Sequence, residues 1–336
     1  MKKSIVITCG DPAGIGAEVA LKALKQGAAQ DHPVVLIGNL NVWQRAAELV
    51  GETVYVVPEI ANARQEEGWA VWSDPECRLD QMLDPADPDD KFLAQRGAVQ
   101  VNAIDAAAKA CLVGKAAAMV TMPIDKRANR AAGIQEPGHT EMIARLCRTP
   151  QPVMMLFGPA MRVVPITTHI AYADVPAKLT PGLVLSTLRI VAQGLRELFG
   201  IAQPRIALCG LNPHAGEGGL FGAEEIRILG PAAGLARQEG LLVEGPLPAD
   251  STFAFRNDYD AIVCPTHDQA LIPLKLLHFD CGVNTTLGLP IVRTSPDHGT
   301  ARDIAWTGDA SACSAEHAIR AAIDFARRRA IAGQGN

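Results

Sequence analysis

The sequence has few aromatic residues, no long hydrophobic run and no excess of basic charge. Aromatic residues make up only 4% of the 336 residues, while hydrophobic residues make up 48%. The core must therefore be aliphatic, which is typical of helices packed on a largely parallel sheet. No apolar stretch approaches the ~18 residues of a membrane span, and the first such run, Ser4–Thr8, is too short for a signal peptide.

The net charge and the cysteines narrow the class of protein further. The formal net charge of −5 gives the chain no general attraction for nucleic acid. The eight cysteines are scattered and contain no C-x-x-C pair, so we expect reduced thiols and a cytoplasmic protein. We predict neither a nucleic-acid nor a membrane partner.

Short aliphatic runs alternate with helical patterns along most of the chain, which predicts βαβ units and an α/β fold. The predicted strands are Ser4–Thr8, Val34–Ile37, Thr53–Val57, Ala118–Thr121, Val153–Leu156, Met161–Pro165, Arg205–Cys209, Ala261–Cys264 and Ile291–Arg293. Helices are predicted at Gly16–Gln26, Asn41–Val50, Phe92–Leu112, Asp125–Ala132, Thr140–Leu146, Pro181–Leu198, Ala223–Gln238 and Ala312–Ala330. The segment Pro58–Asp90 is polar and weakly periodic, which predicts an irregular excursion or a small antiparallel flap.

A glycine-rich turn follows the first strand and opens the first helix, in the order Gly10-Asp11-Pro12-Ala13-Gly14-Ile15-Gly16. Backbone N–H groups at such a turn can face an anion or a cofactor. The spacing is not the G-x-G-x-x-G of the ordinary dinucleotide fold, so a simple tight turn is an equally good interpretation.

Three histidines follow predicted strands. His169 ends the run after Met161–Pro165, His214 lies beyond Arg205–Cys209, and His267 lies beyond Ala261–Cys264. The carboxyl ends of strands are where α/β sheets carry their ligand-binding loops, and three imidazoles can bind a metal while leaving a position open. For each histidine alone, a structural role is the better interpretation. Together they favour a metal site.

A second group of polar residues could bind anions. His139 precedes a predicted helix, where its ring and free amides would suit an oxyanion, although Thr140 beside it could be only a helix cap. Lys275 and Arg293 could bind phosphate or carboxylate, or could form surface salt bridges. The segment Asp297–Ala301 places small residues and a hydroxyl at a helix start, which could contact adenosine or phosphate.

Taken together, these motifs resemble the 4-hydroxythreonine-4-phosphate dehydrogenase family. The resemblance runs in order along nearly the whole chain, and its motifs are Gly10–Gly16, Gly138-His139-Thr140-Glu141, Thr167-Thr168-His169, Leu211-Asn212-Pro213-His214-Ala215-Gly216-Glu217, Leu247-Pro248-Ala249-Asp250, His267-Asp268-Gln269, Gly282-Val283-Asn284 and Asp297-His298-Gly299-Thr300-Ala301.

The resemblance implies a fold of the isocitrate/isopropylmalate-dehydrogenase type. That fold has two α/β/α lobes with the active-site cleft between them, and it works as a homodimer. Residues 1–126 with 285–336 would form the cofactor-side lobe. Residues 127–284 would form the lobe for substrate, metal and dimerisation.

The resemblance also implies roles for particular residues. The metal ligands would be His169, His214 and His267, the last donated across the dimer interface. Residues at the substrate-binding positions are His139, Thr140, Lys275, Asn284 and Arg293. Residues that match the cofactor-binding segments are Gly14, His298, Gly299 and Thr300.

The implied reaction is oxidation of 4-phosphohydroxy-L-threonine at C3, followed by decarboxylation to 3-amino-2-oxopropyl phosphate in pyridoxal phosphate biosynthesis. It would use NAD or NADP and one divalent metal, Zn²⁺, Mg²⁺, Mn²⁺ or Co²⁺. The metal would lower the pKa of the C3 hydroxyl and stabilise the enolate left by CO₂. The proton acceptor is open among Lys275, Asp250, Asp268 and a water molecule.

Several positions depart from the family's usual pattern. Ala17 replaces a proline, Met122–Lys126 differs from the usual Gly-Pro-Val-His-Lys, Ala270 replaces a glycine, and Phe279–Gly282 lacks an arginine. Similar changes occur in paralogues resembling D-threonate 4-phosphate dehydrogenase, which is an alternative. Retention of Gly138–Glu141 argues for a phosphorylated substrate. An alternative from another class is a phosphotransacetylase-like acyl or phosphoryl transferase.

Overall fold

The computed structural model describes residues 2–60, 68–73, 77, 92–136 and 138–332, and the statements below refer to this part of the chain. The chain divides into two compact units. The first contains Met1–Pro152 and Leu289–Arg327, and the second contains Val153–Gly288 and Arg328–Asn336.

The first unit is built on a parallel sheet with the strand order β3-β4-β2-β1-β5-β12. Its strands are β1 (Ile5–Thr8), β2 (Val34–Ile37), β3 (Val54–Val56), β4 (Trp69–Trp72), β5 (Ala118–Thr121) and β12 (Arg293–Pro296). Its helices are α1 (Gly16–Lys25), α2 (Leu40–Val50), α3 (Leu93–Leu112), α4 (Lys126–Ala131), α5 (His139–Leu146) and most of α11 (Cys313–Ala332).

Local sequence explains where these elements begin and end. All residues of β1, β2 and β5 are buried, as expected for central parallel strands covered on both faces. Helix α2 begins after Asn39, whose side chain accepts the N–H of Val42 at 3.2 Å, and it ends at Gly51 in the left-handed conformation.

The second unit has the strand order β11-β6-β7-β10-β8-β9. Its strands are β6 (Val153–Gly158), β7 (Met161–Pro165), β8 (Arg205–Cys209), β9 (Leu242–Leu247), β10 (Ala261–Cys264) and β11 (Val283–Leu287). Its helices are α6 (Val175–Lys178), α7 (Pro181–Glu197), α8 (Gly230–Gln238), α9 (Ala249–Thr252) and α10 (His267–His278). Strand β6 pairs antiparallel with β7 and β11, whereas β7, β10, β8 and β9 are parallel.

The order β7-β10-β8 positions the candidate metal ligands. These three neighbouring strands run in the same direction, so their carboxyl ends meet at one edge of the sheet. The loops that follow them carry His169, His267 and His214 respectively. A buried cluster that includes Val163, Ile262 and Cys209 packs these strands together. The fold therefore places the three histidines at the same edge of the sheet in the second unit.

The predicted α/β class is confirmed, and some elements differ from the prediction in detail. Strand β4 lies within the stretch predicted to be irregular or antiparallel, and it pairs parallel with β2 and β3. Most of the remaining stretch up to Asp90 lies outside the described residues. The first unit extends to Pro152, because α4 and α5 pack against α3.

Within the described residues, no single helix has both the length and the apolar composition of a membrane span, although Tyr172–Lys178 and Pro181–Glu197 pass that test as a pair bent by 89°.

Candidate active site

Two of the three candidate metal ligands lie close together in the second unit. The ring centroids of His169 and His267 are 5.7 Å apart. The ring of His214 packs near Phe221, with centroids 6.4 Å apart. Among the described residues, no three His, Cys, Asp or Glu side chains form a group that could hold a metal ion as they stand. The single chain thus brings two imidazoles together and leaves His214 outside the pair.

The backbone at two of these histidines is unusual. His169 has φ +43° and His214 has φ +51°. Residues with a Cβ seldom adopt this left-handed region, because the side chain crowds the following carbonyl oxygen. Such conformations concentrate at functional sites, where the surrounding structure holds them. Both side chains are exposed in the single chain, so burial of the imidazole does not account for the strain.

A carboxylate orients the third imidazole. The Nδ1 atom of His267 lies 2.8 Å from Oδ1 of Asp268. Because a carboxylate can only accept, Nδ1 carries the proton, and the lone pair of Nε2 is left available to a metal. Tyr172 also donates a hydrogen bond to Asp268, and the bonds from His267 and Tyr172 lower the pKa of this carboxyl. Carboxylate support of this kind is the usual arrangement behind a metal-binding histidine.

Hydrogen bonds tie the three histidine loops to one another. The hydroxyl of Thr167 donates to the carbonyl of Pro265 at 2.7 Å, which joins the ends of β7 and β10. The side chain of Gln269 donates to the carbonyl of Gly210 at 3.0 Å, which joins α10 to the end of β8. Gln269 also completes a capping box with Thr266 at the start of α10. These contacts give the strand ends a fixed arrangement.

The first unit holds a separate cationic cluster. Arg293 is 3% exposed, and its Nε and Nη2 donate to Oγ1 of Thr121 at 3.0 and 2.8 Å. Burial lowers the pKa of Arg293 to about 10, while the charge of Glu141 opposes this. Burial also lowers the pKa of His139 well below its usual value, and the charges of Arg293 and Lys126 lower it further. The buried Nε2 of His139 has no hydrogen-bond partner.

An unpartnered ring nitrogen beside two cations fits an anionic ligand. Burying a polar atom without a partner is costly, and a bound phosphate or carboxylate would offer an acceptor oxygen to that atom and to the charges around it. The alternative that Thr140 serves only as a cap is wrong. The cap position of α5 belongs to Gly138, and Thr140 lies inside the first turn.

The candidate cofactor residues meet at the glycine-rich turn. The N–H of Ile15 donates to the carbonyl of Thr300 at 3.0 Å, and a Cβ at Gly14 would lie 3.0 Å from Thr300. A side chain at this position would require Thr300 to shift by a few tenths of an ångström. The ring of His298 bonds its Nδ1 to the carbonyl of Gly299 at 3.0 Å. The loop Asp297–Ala301 therefore packs directly on the turn that precedes α1.

The remaining predicted site residues lie in the second unit. Lys275 is on α10, with its Nζ 5.8 Å from the ring centroid of Phe279. Asn284 is on β11, paired in register with Leu156. Asp250 is on the short helix α9, directly after β9. His139, Thr140 and Arg293 belong to the first unit.

Several supporting residues escaped the sequence analysis. Arg96 is buried and bonds Asp11 through both Nε and Nη2, at 2.9 and 2.5 Å, so it fixes the glycine-rich turn. Lys126, whose charge lowers the pKa of His139, was also missed. The sequence analysis named its segment only because that segment departs from the family pattern. The available sequence signal for Arg96 was its position in α3, a helix that is rich in alanine.

Comparison with known proteins decides the family to which the chain belongs. Residues 29–322 match the profile described as pyridoxal phosphate biosynthetic protein PdxA. The chain belongs to this family. A relative named 4-hydroxythreonine-4-phosphate dehydrogenase, from Geobacter metallireducens, is 44% identical over 99% of this chain and 98% of its own length. The PdxA-family chain is therefore a dehydrogenase, an oxidoreductase that acts on a CH–OH group, and not a transferase of the phosphotransacetylase type.

Solved structures agree with this assignment. A 4-hydroxythreonine-4-phosphate dehydrogenase from Klebsiella pneumoniae matches with a TM-score of 0.87 and 39% identity, covering 97% of this chain and 98% of that one. A terephthalate 1,2-cis-dihydrodiol dehydrogenase from Burkholderia xenovorans matches less well, with a TM-score of 0.66 and 30% identity over 97% and 99% of the two chains. The PdxA-family fold thus includes dehydrogenases whose named substrates differ.

Proposed function

We propose that this PdxA-family protein oxidises 4-phosphohydroxy-L-threonine at C3 with NAD, and that the product decarboxylates to 3-amino-2-oxopropyl phosphate. The curated relatives with this substrate in their name are 42–44% identical over nearly the full chain. The observation that carries the proposal is the cationic cluster of the first unit, where a buried arginine and an unpartnered histidine nitrogen suit a phosphorylated substrate.

The cationic cluster would bind and orient the anionic part of the substrate. Arg293 supplies a planar fork of donors, and its contact with Thr121 fixes the plane of the guanidinium. His139 contributes its buried Nε2 atom, which has no hydrogen-bond partner in the single chain and would donate to the anion when the ring is protonated. Because Arg293 is already buried and held by Thr121, little of its conformational entropy is lost when the substrate binds.

We assign the metal site to His169, His214 and His267 of the second unit. Three observations support this assignment: these loops leave neighbouring strands, two of the rings are 5.7 Å apart in the single chain, and Asp268 leaves Nε2 of His267 available. Zn²⁺ and Co²⁺ accept imidazole nitrogen readily, whereas Mg²⁺ and Mn²⁺ prefer oxygen ligands. A cation there would act as a Lewis acid on an oxygen of the substrate.

The close packing of Thr300 on Gly14 supports a nucleotide site at the glycine-rich turn, where helix α1 begins. NAD or NADP would place its adenosine and pyrophosphate against Gly14 and the segment His298–Thr300. The protein would hold the dinucleotide in position for hydride transfer, and the hydride would come from C3 of the substrate.

The proton that leaves the C3 hydroxyl needs an acceptor. Asp268 already accepts hydrogen bonds from His267 and Tyr172, so we assign it to positioning His267. Lys275 and Asp250 then remain as the candidate acceptors among the side chains. Both lie in the same unit as the three histidines.

The decisive test is a steady-state assay of NADH formation with the purified protein and added Zn²⁺, Mn²⁺, Co²⁺ or Mg²⁺. We expect kcat/KM for 4-phosphohydroxy-L-threonine to exceed that for D-threonate 4-phosphate by about tenfold or more, because one exchanged polar group changes the hydrogen bonds of a buried site. The reverse ratio would assign the chain to the D-threonate alternative. No NADH from either phosphoester would refute the proposed substrate class.

We further propose a homodimer, formed through a surface of the second unit that carries the histidines. Each histidine is followed by exposed apolar side chains. These are Ile170 and Tyr172 after His169, Leu220 and Phe221 after His214, and Ile272, Leu276 and Phe279 along α10, at 39% to 83% exposure. Exposed apolar residues concentrated in this way mark an interaction surface. A dimer would also bring His267 of one chain to its partner.

We also propose a cytoplasmic enzyme, because none of the eight cysteines is in a disulfide.

Leu276→Glu should convert the dimer to a monomer. Leu276 is 83% exposed in the single chain, so the substitution leaves the fold intact but buries a charge at the interface. Light scattering coupled to size exclusion would measure the mass. Val113→Glu, an equally polar change at a site 70% exposed in the first unit, is the control and should keep the dimer mass. A wild-type monomer, or a dimeric Leu276→Glu variant, would contradict this surface.

A further inference from the structure

The loop that carries His214 adopts a rare backbone conformation. Five consecutive residues, His214–Gly218, have positive φ, between 40° and 74°. Glycines at Gly216 and Gly218 tolerate this, but His214, Ala215 and Glu217 do not favour it. A left-handed run of this length persists only if neighbouring groups hold it in place.

A buried carboxylate lies against this loop. Glu225 is 5% exposed, and its Oε1 accepts the backbone N–H groups of Leu211 and Asn212, both at 2.8 Å. Its Oε2 accepts the side-chain amide of Asn212 at 3.0 Å. Three donors on one carboxylate compensate its burial and fix the chain immediately before His214.

The left-handed turn then returns to the same carboxylate. A Cβ at Gly216 would lie 2.6 Å from Oε2 of Glu225, so the glycine backbone packs directly on the charged group. Glu225 begins a π-helical turn, Glu225–Leu229, ahead of α8. Turns of this kind are rare and are found mostly at functional sites.

We infer that Glu225 is a positioning residue, which holds the left-handed turn in the form that directs the imidazole of His214 toward the metal. This inference rests on the proposed metal role of His214. Among the described residues, the carboxylate of Glu225 hydrogen-bonds to Leu211 and Asn212, and it does not need to touch the metal or the substrate. No other described side chain accepts hydrogen bonds from the backbone of both Leu211 and Asn212.

The neighbouring carboxylate provides a matched control. Glu224 accepts the side-chain amide of Asn212 at 2.7 Å and backbone N–H groups of its own turn, from Ala223 and Glu224, and it is partly exposed. Glu224→Gln therefore makes the same chemical change one residue away without touching the loop backbone. We expect this variant to keep the metal affinity of the wild type within about twofold, as for surface substitutions.

The test compares Glu225→Ala and Glu225→Gln with this control. We expect Glu225→Ala to raise the Kd for Co²⁺ about 10- to 100-fold, the usual result of removing support from a metal ligand. Glu225→Gln should have a smaller effect, because its carbonyl oxygen can still accept both backbone N–H groups. If the effect is positional, saturating Co²⁺ should restore turnover of Glu225→Gln, and its thermal midpoint should match that of Glu224→Gln.

Amide hydrogen exchange in the metal-free proteins separates this inference from the metal proposal. Faster exchange at Leu211 and Asn212 in the Glu225 variants would show that Glu225 anchors the turn even if the wild type bound no Co²⁺, a result that would defeat the metal role of His214 but not the anchoring. The positioning role would be overturned if Glu225→Gln and Glu225→Ala kept both the wild-type exchange rates at Leu211 and Asn212 and the wild-type Kd for Co²⁺. If Glu225→Ala fails to fold, Glu225→Gln alone decides the question by the same two measurements.

Discussion

Replacing His214 with alanine should weaken binding of Co²⁺ or Zn²⁺ by more than about 100-fold and abolish turnover. Losing a residue that merely supports a metal ligand costs 10- to 100-fold in affinity, so loss of the ligand itself must cost more. His214 is exposed, and alanine leaves no cavity there. The free energy of unfolding of the metal-free protein should therefore change by less than about 0.5 kcal/mol. Titration with Co²⁺, followed by its absorption spectrum, would measure the affinity.

A histidine outside the site provides the control for this experiment. His317 bonds the carbonyl of Cys313 at 2.8 Å near the start of α11, in the first unit, and His317→Ala should leave the Co²⁺ affinity unchanged. His169→Ala and His267→Ala should match His214→Ala if all three imidazoles bind one ion. A variant at His214 with wild-type affinity would remove that residue from the ligand set and leave His169 and His267 as a pair.

The sequence predicts the buried parallel strands well, for a physical reason. Strands such as Val34–Ile37, Ala118–Thr121 and Arg205–Cys209 have the bounds that the aliphatic runs predict. Each is short and largely apolar, and no helix of four or five residues could bury the same run. Proline and glycine flank both Val34–Ile37 and Arg205–Cys209. The strands that place the three histidines were therefore predictable.

The elements that the sequence analysis missed have mixed patterns. Strand β11, Val283–Leu287, contains an asparagine and two threonines, so its apolar signal is weak although it pairs along its whole length with β6. Helix α10 contains Pro273, a residue that ordinarily argues against a helix. Strand β9 includes Gly245-Pro246, which reads as a turn. In each case tertiary pairing outweighs local preference.

The candidate metal ligands could be predicted from the sequence, whereas the residues that hold their loops in place could not. His169, His214 and His267 could be selected because each is a metal-ligand type at a strand end. Glu225 and Gln269 could not, because a carboxylate or an amide on a helix is ordinarily a solvated residue. Their roles depend on long-range contacts with Leu211 and Gly210, which no local pattern encodes.

Replacing Arg293 with methionine should separate binding from stability. The guanidinium is 3% exposed, and burial lowers its pKa to about 10, so the folded protein bears a cost for holding this charge. Methionine fills similar space without the charge, which removes the cost of burying a charge but also removes the two hydrogen bonds to Thr121. Because these two effects oppose each other, we expect the free energy of unfolding to change little. We expect kcat/KM for the phosphorylated substrate to fall roughly 30-fold to several thousand-fold, equivalent to about 2–5 kcal/mol.

The fall in kcat/KM should come chiefly from a higher KM, since the lost interaction is with the bound anion in the ground state and the transition state alike. Arg293→Lys is the matched control for charge. It keeps the cation but not the two bonds from Nε and Nη2 to Thr121, so it should recover only part of the affinity. A methionine variant with an unchanged KM would mean that the phosphorylated substrate binds elsewhere. The buried charge beside His139 would then need another anion to explain it.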